Sequence, residues 1–431
     1  MTTKVLFRDN VLHHADRSVT VRFVIAGSVY GIGSVIHKGK KMRALNVREG
    51  IKALMAPAKR RRAWSVVLAG VMVAPALVVC TGAISSVGVS SAGAATKFTV
   101  KGCEKKATAI LAAYQNSPKV AIGMPFNMSA LKGDSVWFIN ESATVPTTAE
   151  LQAGFDAAAA AAGVNVTNFD GQASLSTEQE GINEAISAHA AGIVLLAISA
   201  AEIGPQLSAA QAAGIPVVSM YEPPVTPGTI FATINSNPLV AGRAQGAAAL
   251  LATHCKLDAV YTDDSIFSST VQPYPSLRSV ILTLCKKCKV SVTAFDILTV
   301  ATSSGPLGTS IVTANKNVNM IINSDDSESI YMIPALQAIH SNVKIIGGQN
   351  TPATLTDIQN GSEYADLSHG DSNFPGWAAM DEIGRAILKL PAASDPIPTQ
   401  LVDKANVANG GVIPTYVNFQ TKFEAAWGLS S

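Results

Sequence analysis

Two acidic pairs, Asp263-Asp264 and Asp325-Asp326, are the first residues of this chain whose types and spacing invite chemistry. Adjacent carboxylates suit a hard cation, acid/base work or contact with a ligand. Each pair follows a run with strand character. In open parallel sheets, ligands sit beyond the carboxyl ends of the strands. Asp is also a good helix N-cap, so capping and ligand contact both stay open for Asp325. Cys285-Lys286-Lys287-Cys288 has C-x-x-C spacing, which a redox or metal pair would need. There is no second C-x-x-C and no nearby His pair. The expectation is therefore a structural bridge, within the pair or to Cys255 or Cys103.

Enzymatic tools are missing. The sequence has no G-x-G-x-x-G after a strand, no P-loop, no H-E-x-x-H and no G-x-S-x-G. His189, His254, His340 and His369 are scattered singly. The sequence predicts no enzyme, no cofactor and no metal site.

The residues that could act must be positioned by a repeated unit. Residues 135–140, 164–169, 193–198 and 215–219 read as buried strands. Helical runs lie between them, the first of them Ala-rich, and stop at Gly163, near Gly192 and at Gly214. A second series has strands at 259–261, 290–293, 320–322 and 343–346, with helices at about 238–254, 276–286, 304–315, 327–340 and 376–389. Such alternation implies right-handed βαβ units and doubly wound parallel sheets. Two series make two lobes. The turn-rich stretch 221–228 lies between them.

Composition agrees with a packed body. Hydrophobic residues make up 48% and charged residues 14% of the 431. Residues 1–94 carry 14 Lys/Arg against 3 Asp/Glu, whereas 95–431 carry 18 against 27. An acidic body disfavours a nucleic-acid partner. The basic front contains Lys59-Arg60-Arg61-Arg62, then the uncharged run 63–79, then small residues to Ala94. That order describes a secretory signal peptide over about 55–94, cut near Ala94; a retained membrane anchor is the alternative. Translation is expected to begin at Met55 or Met42, and residues 1–54 show no useful amphipathic pattern. Export leaves Cys103, Cys255, Cys285 and Cys288 in an oxidising setting.

From about 134 to 428 the chain resembles the type I periplasmic binding proteins of ABC importers, near the sugar-binding members. Several runs carry the resemblance: Trp137-Phe138-Ile139 through Val145-Pro146 to Gly154-Phe155-Asp156-Ala157-Ala158, then Ala213-Gly214-Ile215-Pro216-Val217-Val218 and Asn323-Ser324-Asp325-Asp326. Ile346-Gly347-Gly348-Gln349-Asn350 and Gly376-Trp377-Ala378-Ala379-Met380-Asp381 complete it. The resemblance implies two Rossmann-like α/β lobes joined by a three-strand hinge, with a solute closed into the cleft. It places the first lobe at 134–230 and 369–400 and the second at 231–368 and 401–431. Residues 95–133 read as an N-terminal extension.

Carried over position by position, the resemblance offers Glu141, Ser142, Thr144, Thr147 and Ser199 from the first lobe. The second lobe offers Phe267, Ser269, Asp325 and Gln349. The last crossing offers His369 or Asp371, with Phe374 and Trp377 nearby. Thr147 and Thr148 stand where ribose-type members have two aromatics, and the family's Arg has only Arg278 as a candidate. The implied function is extracytoplasmic capture of a small polar solute, expected to be a sugar, for an ABC permease, by a monomer. The alternatives are an exported ligand-sensing domain feeding a membrane signalling partner, and an exported hydrolase.

Overall fold

The computed structural model describes strands 18–25 and 28–36, and, of the rest, 98–115, 122–222, 228–264, 266, 273–368, 373–393, 397, 399–408, 413 and 416–429. The expected signal segment at 55–94, its cut site and the candidate starts Met42 and Met55 lie outside the described residues. No helix among the described residues is long and apolar enough to cross a membrane.

The chain divides into two compact units, 1–91 and 92–431. In the first, β1 (Ser18–Ile25) pairs antiparallel with β2 (Ser28–Ile36).

The second unit is built on two sheets. The first has the order β4-β3-β5-β6-β7 and is fully parallel. Its strands are β3 (Ser135–Asn140), β4 (Asn165–Asp170), β5 (Gly192–Leu196), β6 (Val217–Met220) and β7 (Ala232–Ile234). The second has the order β9-β8-β10-β11-β12-β13, parallel except for its last strand. Its strands are β8 (Asp258–Asp264), β9 (Lys289–Phe295), β10 (Met320–Ile322), β11 (Lys344–Gly348), β12 (Ala365–Ser368) and β13 (Gln400–Asp403). All five residues of β5 are buried, as helices on both faces of a parallel sheet require.

The helices are α1 (Val100–Leu111), α2 (Pro146–Ala162), α3 (Leu175–Ser187), α4 (Gly204–Ala212), α5 (Pro238–Ala252), α6 (Pro273–Leu284), α7 (Val300–Ala314), α8 (Asp326–Ala338), α9 (Pro352–Asn360), α10 (Phe374–Ile387) and α11 (Phe419–Ala426). Local signals set their ends. Pro146 opens α2, where its missing N–H has no partner to lose. Gly163 closes α2 at φ 70°, a conformation that costs glycine little.

The chain passes from one sheet to the other between β7 and α5, between β12 and α10, and between α10 and β13. Two further passages flank these. Helix α1 packs on α5 in the second lobe, and the turn Met128–Leu131 packs on α2 in the first. Helix α11 packs on α10 and α2 after the chain leaves β13.

Two boundaries therefore differ from expectation. Strand β7 extends the first sheet beyond residue 230, and α11 joins the first lobe rather than the second. The reason for the latter is aromatic. Trp427 stacks on Trp377 at 5.4 Å and 8°, and Phe419 and Phe423 surround Phe374 at 5.6 and 5.7 Å. The Trp427 Nε1–H donates to Asp381 Oδ1 at 2.7 Å, and Asp381 in turn holds Arg385. The extension 95–133 is likewise no free tail. Cys103 is bonded to Cys255, and Cys285 to Cys288.

Candidate functional site

Both sheets share one winding. In each, the first strand in the chain lies between the second and the third, so the order reverses beside β3 in one lobe and beside β8 in the other. Loops leave a reversal point in opposite directions and open a crevice at the strands' carboxyl ends. The residues there are Asn140 at the end of β3 and Glu141 after it, Ala197 after β5, Asp264 at the end of β8, and Asn323-Ser324-Asp325 after β10.

Direct bonds bring the two edges together. The Thr147 hydroxyl donates to Asp325 Oδ2 at 3.0 Å and Oδ1 at 3.2 Å. The Thr147 N–H donates to Ser327 Oγ at 3.2 Å. Thr147 lies in the first turn of α2 of the first lobe and Asp325 caps α8 of the second. The capping is complete: Asp325 Oδ1 accepts from Ser327 N at 2.7 Å, and Glu328 reaches back to the Asp325 N–H. Burial pushes the Asp325 carboxyl up to about 6, against the hydrogen bonds from Ser327 and Thr147.

The first-lobe loop is braced from within. Asn140 Oδ1 accepts from Ser142 N at 3.1 Å, and the Ser142 and Thr144 hydroxyls bond at 2.9 Å. Thr148 donates to the carbonyls of Ser142 and Val145. Ser142 is buried, whereas Thr144 is exposed. Glu141 is held only by its backbone, which bonds Leu196 O and Ala173 N. It is 7% exposed and its Oε2 has no hydrogen-bond partner. Burial, then the charges of Glu178, Asp264, Glu222 and Glu202, push its carboxyl up to about 9.

Three strand ends carry non-glycine residues in the left-handed region: Ala197 (φ 63°) after β5, Tyr221 (φ 68°) after β6 and Gln349 (φ 68°) after β11. Such backbone strain gathers at sites that must hold an exact shape. Ser199 and Gln349 are half-buried. Phe267, Ser269, His369 and Asp371 lie outside the described residues. Phe374 and Trp377 are core residues, 4% exposed and packed among the α11 aromatics, so they do not line the cleft. Arg278 is exposed on α6.

The acidic pairs come apart. Asp325 faces the other lobe. Asp326 turns inward, bonding Gly348 N at 3.0 Å and the Thr354 hydroxyl. There it meets Glu363 and Asp366, and burial raises all three carboxyls. A side chain at Gly347 would collide with Asp326 and Glu363. Among the described residues, no group of three or more His, Cys, Asp or Glu is arranged to hold a metal ion.

Sequence reasoning missed Glu178, Glu222 and Asn350. Glu222 and Asn350 had only a place just after a strand as signal, which also describes a helix cap, and Glu178 only a place in the first turn of a helix, where acids are common. A cavity of about 660 Å³ among Leu336, Lys344, Tyr364 and Lys404 lies at the amino edge of the second sheet, away from the strand-end residues.

Residues 136–381 match a family described as periplasmic binding protein domain. No curated protein matches the chain. Solved structures share the fold. An ABC transporter solute binding protein from Agrobacterium vitis with bound allitol is 18% identical, with a TM-score of 0.56, over 64% of this chain and 96% of that one. A galactofuranose binding protein is 14% identical, with a TM-score of 0.58, over 63% and 95%. The XylFII-LytSN complex is 18% identical, with a TM-score of 0.56, over 64% and 99%.

Proposed function

Because the chain belongs to the periplasmic binding protein family, we propose that it captures a small polar solute between its two lobes and delivers it to an ABC permease. The observation that carries this reading is the meeting of the two carboxyl edges at Thr147 and Asp325. A solute held between such edges loses water on both sides, so binding and closure are one equilibrium. The family consists of substrate-binding proteins, and the reading includes no catalytic step. The solute belongs with sugars and polyols, as allitol does in the Agrobacterium vitis protein. Glu141, Ser199 and Gln349 are the contacts we assign among the described residues. Phe267, Ser269, His369 and Asp371 complete the proposed site. Asp325 and Thr147 act as the closure contact. Export, with cleavage near Ala94, and a monomeric state belong to the same reading.

A second reading keeps the cleft and changes the listener. XylFII is seen in complex with LytSN, so capture could report to a membrane signalling partner. Calorimetry against monosaccharides and polyols tests capture itself. Saturable one-to-one binding is expected, and no binding by any member would overturn it. Pull-down with the permease or the sensor then separates the two readings.

A further inference from the structure

The carboxyl edge of the first sheet is acidic beyond what a neutral solute needs. Glu141 follows β3, Glu178 lies in the first turn of α3, Glu202 follows β5 and Glu222 follows β6. Glu141 and Glu178 are close: a side chain on Gly171 would meet the Glu178 Cγ at 2.8 Å and the Glu141 carbonyl at 3.2 Å. Glu141 follows β3 at the reversal point of the first sheet, Asp264 ends β8 at that of the second, and the Thr147–Asp325 contact joins these two edges. Every charge acting on Glu141 from the described residues is negative. Glu178 shares this setting; burial, then Glu202, push it up to about 7.

Glu141 is more than nine-tenths buried and its Oε2 has no donor. Its backbone is pinned on both sides, by Leu196 O and Ala173 N. A buried carboxylate left without a donor or an opposite charge is costly. A hydroxyl group would supply a donor but leave the charge. An ammonium group supplies both. On the second lobe, Asn350 follows β11, is 2% exposed, and has a side-chain Nδ2 without an acceptor. It can donate to a hydroxyl oxygen.

Resting on the capture reading above, we propose that the solute is a polyhydroxy amine, such as an amino sugar, with its ammonium group seated on Glu141. Binding then ionises Glu141 and releases a proton at neutral pH. The groups facing it are Glu178 from α3, Glu202 and Glu222 from the loops after β5 and β6, and Asp264 from β8.

The test is calorimetry on the full chain at pH 7.5. The probes are glucosamine, galactosamine and glucamine beside glucose, galactose and sorbitol, with N-acetylglucosamine as the uncharged amide. At least one amine is expected to bind about tenfold or more tighter than its neutral partner, because losing one member of a buried charge pair is large on this scale. Acetylation should remove the gain, and buffers of different ionisation enthalpy should reveal proton release. Glu141→Gln should abolish the preference while the chain still melts cooperatively; the acetylated probe gives the same answer without a variant. Neutral sugars binding as tightly as their amines would overturn the charge assignment and leave capture standing. No binding by any probe would overturn this inference, while capture is judged on the wider panel.

Discussion

The Thr147 hydroxyl spans both carboxylate oxygens of Asp325, from the first turn of a helix in one lobe to the cap of a helix in the other. The two residues lie 178 positions apart. The contact is buried and joins the two carboxyl edges, and Asp325 still caps its own helix.

Thr147→Val keeps the shape and removes the hydroxyl. Asp325 keeps its bonds to Ser327, so α8 remains capped. The loss is about 1 kcal/mol, roughly a fivefold shift toward the open form. Small-angle scattering should show a larger radius of gyration without ligand and an unchanged melting profile. Asp325→Ala should cost more, about 1–3 kcal/mol, because the cap is lost as well. An unchanged radius of gyration in both variants would show that the contact does not hold the lobes together.

Stability should fall as pH rises. Asp325 and Glu328 have folded values of about 6 and 8, and Glu141 about 9, all above their ordinary 3.8 to 4.5. The folded chain therefore binds more protons than the unfolded one between those limits. The stabilisation is complete below about pH 4 and is lost as pH rises through 6 to 9. Melting should be higher at pH 5 than at pH 8.

Asp366→Asn tests a further contribution to that slope, from the buried carboxyls of Asp326, Glu363 and Asp366, which burial also raises. Both Asp366 oxygens are buried without a donor, and Asp326 can pair with them only through a shared proton. An amide supplies its own N–H. The variant should gain about 1–3 kcal/mol at pH 8 and little at pH 5. A uniform gain across pH would move the titration elsewhere.

The two disulfides should differ in weight. Cys103–Cys255 spans 152 positions, whereas Cys285–Cys288 spans 3. Chain entropy makes the long loop worth about 3–5 kcal/mol and the short one much less. Cys103→Ser with Cys255→Ser should also free α1, which is then cut first in limited proteolysis. Similar denaturant midpoints for the two double variants would contradict this.

Gly376 and Gly154 mark the closest approach of α10 to α2. A side chain on Gly376 would lie 2.6 Å from the Gly154 carbonyl carbon and 2.7 Å from the Leu151 oxygen. The obstacles are backbone atoms, which cannot rotate away. Gly376→Ala should destabilise by about 1–3 kcal/mol in urea unfolding. A neutral result would mean that the helices can separate freely.

Sequence alone determined the repeating layer of this protein. The Val, Ile and Leu runs of β3, β5 and β10, the helix stop at Gly163 and the capping potential of Asp325 are all local signals, read within a few residues. Tertiary structure decided what local pattern cannot encode. Asp325 and Asp326 are adjacent and identical in type, yet one meets Thr147 across the cleft and the other sits among buried acids. Successive positions at a helix start point in different directions, and only the packed surroundings give each its role. Phe374 and Trp377 looked available until α11 covered them. Glu141 became the centre of an acidic rim through Glu178, Glu222 and Asp264, residues brought to it from separate strands by the winding of the two sheets.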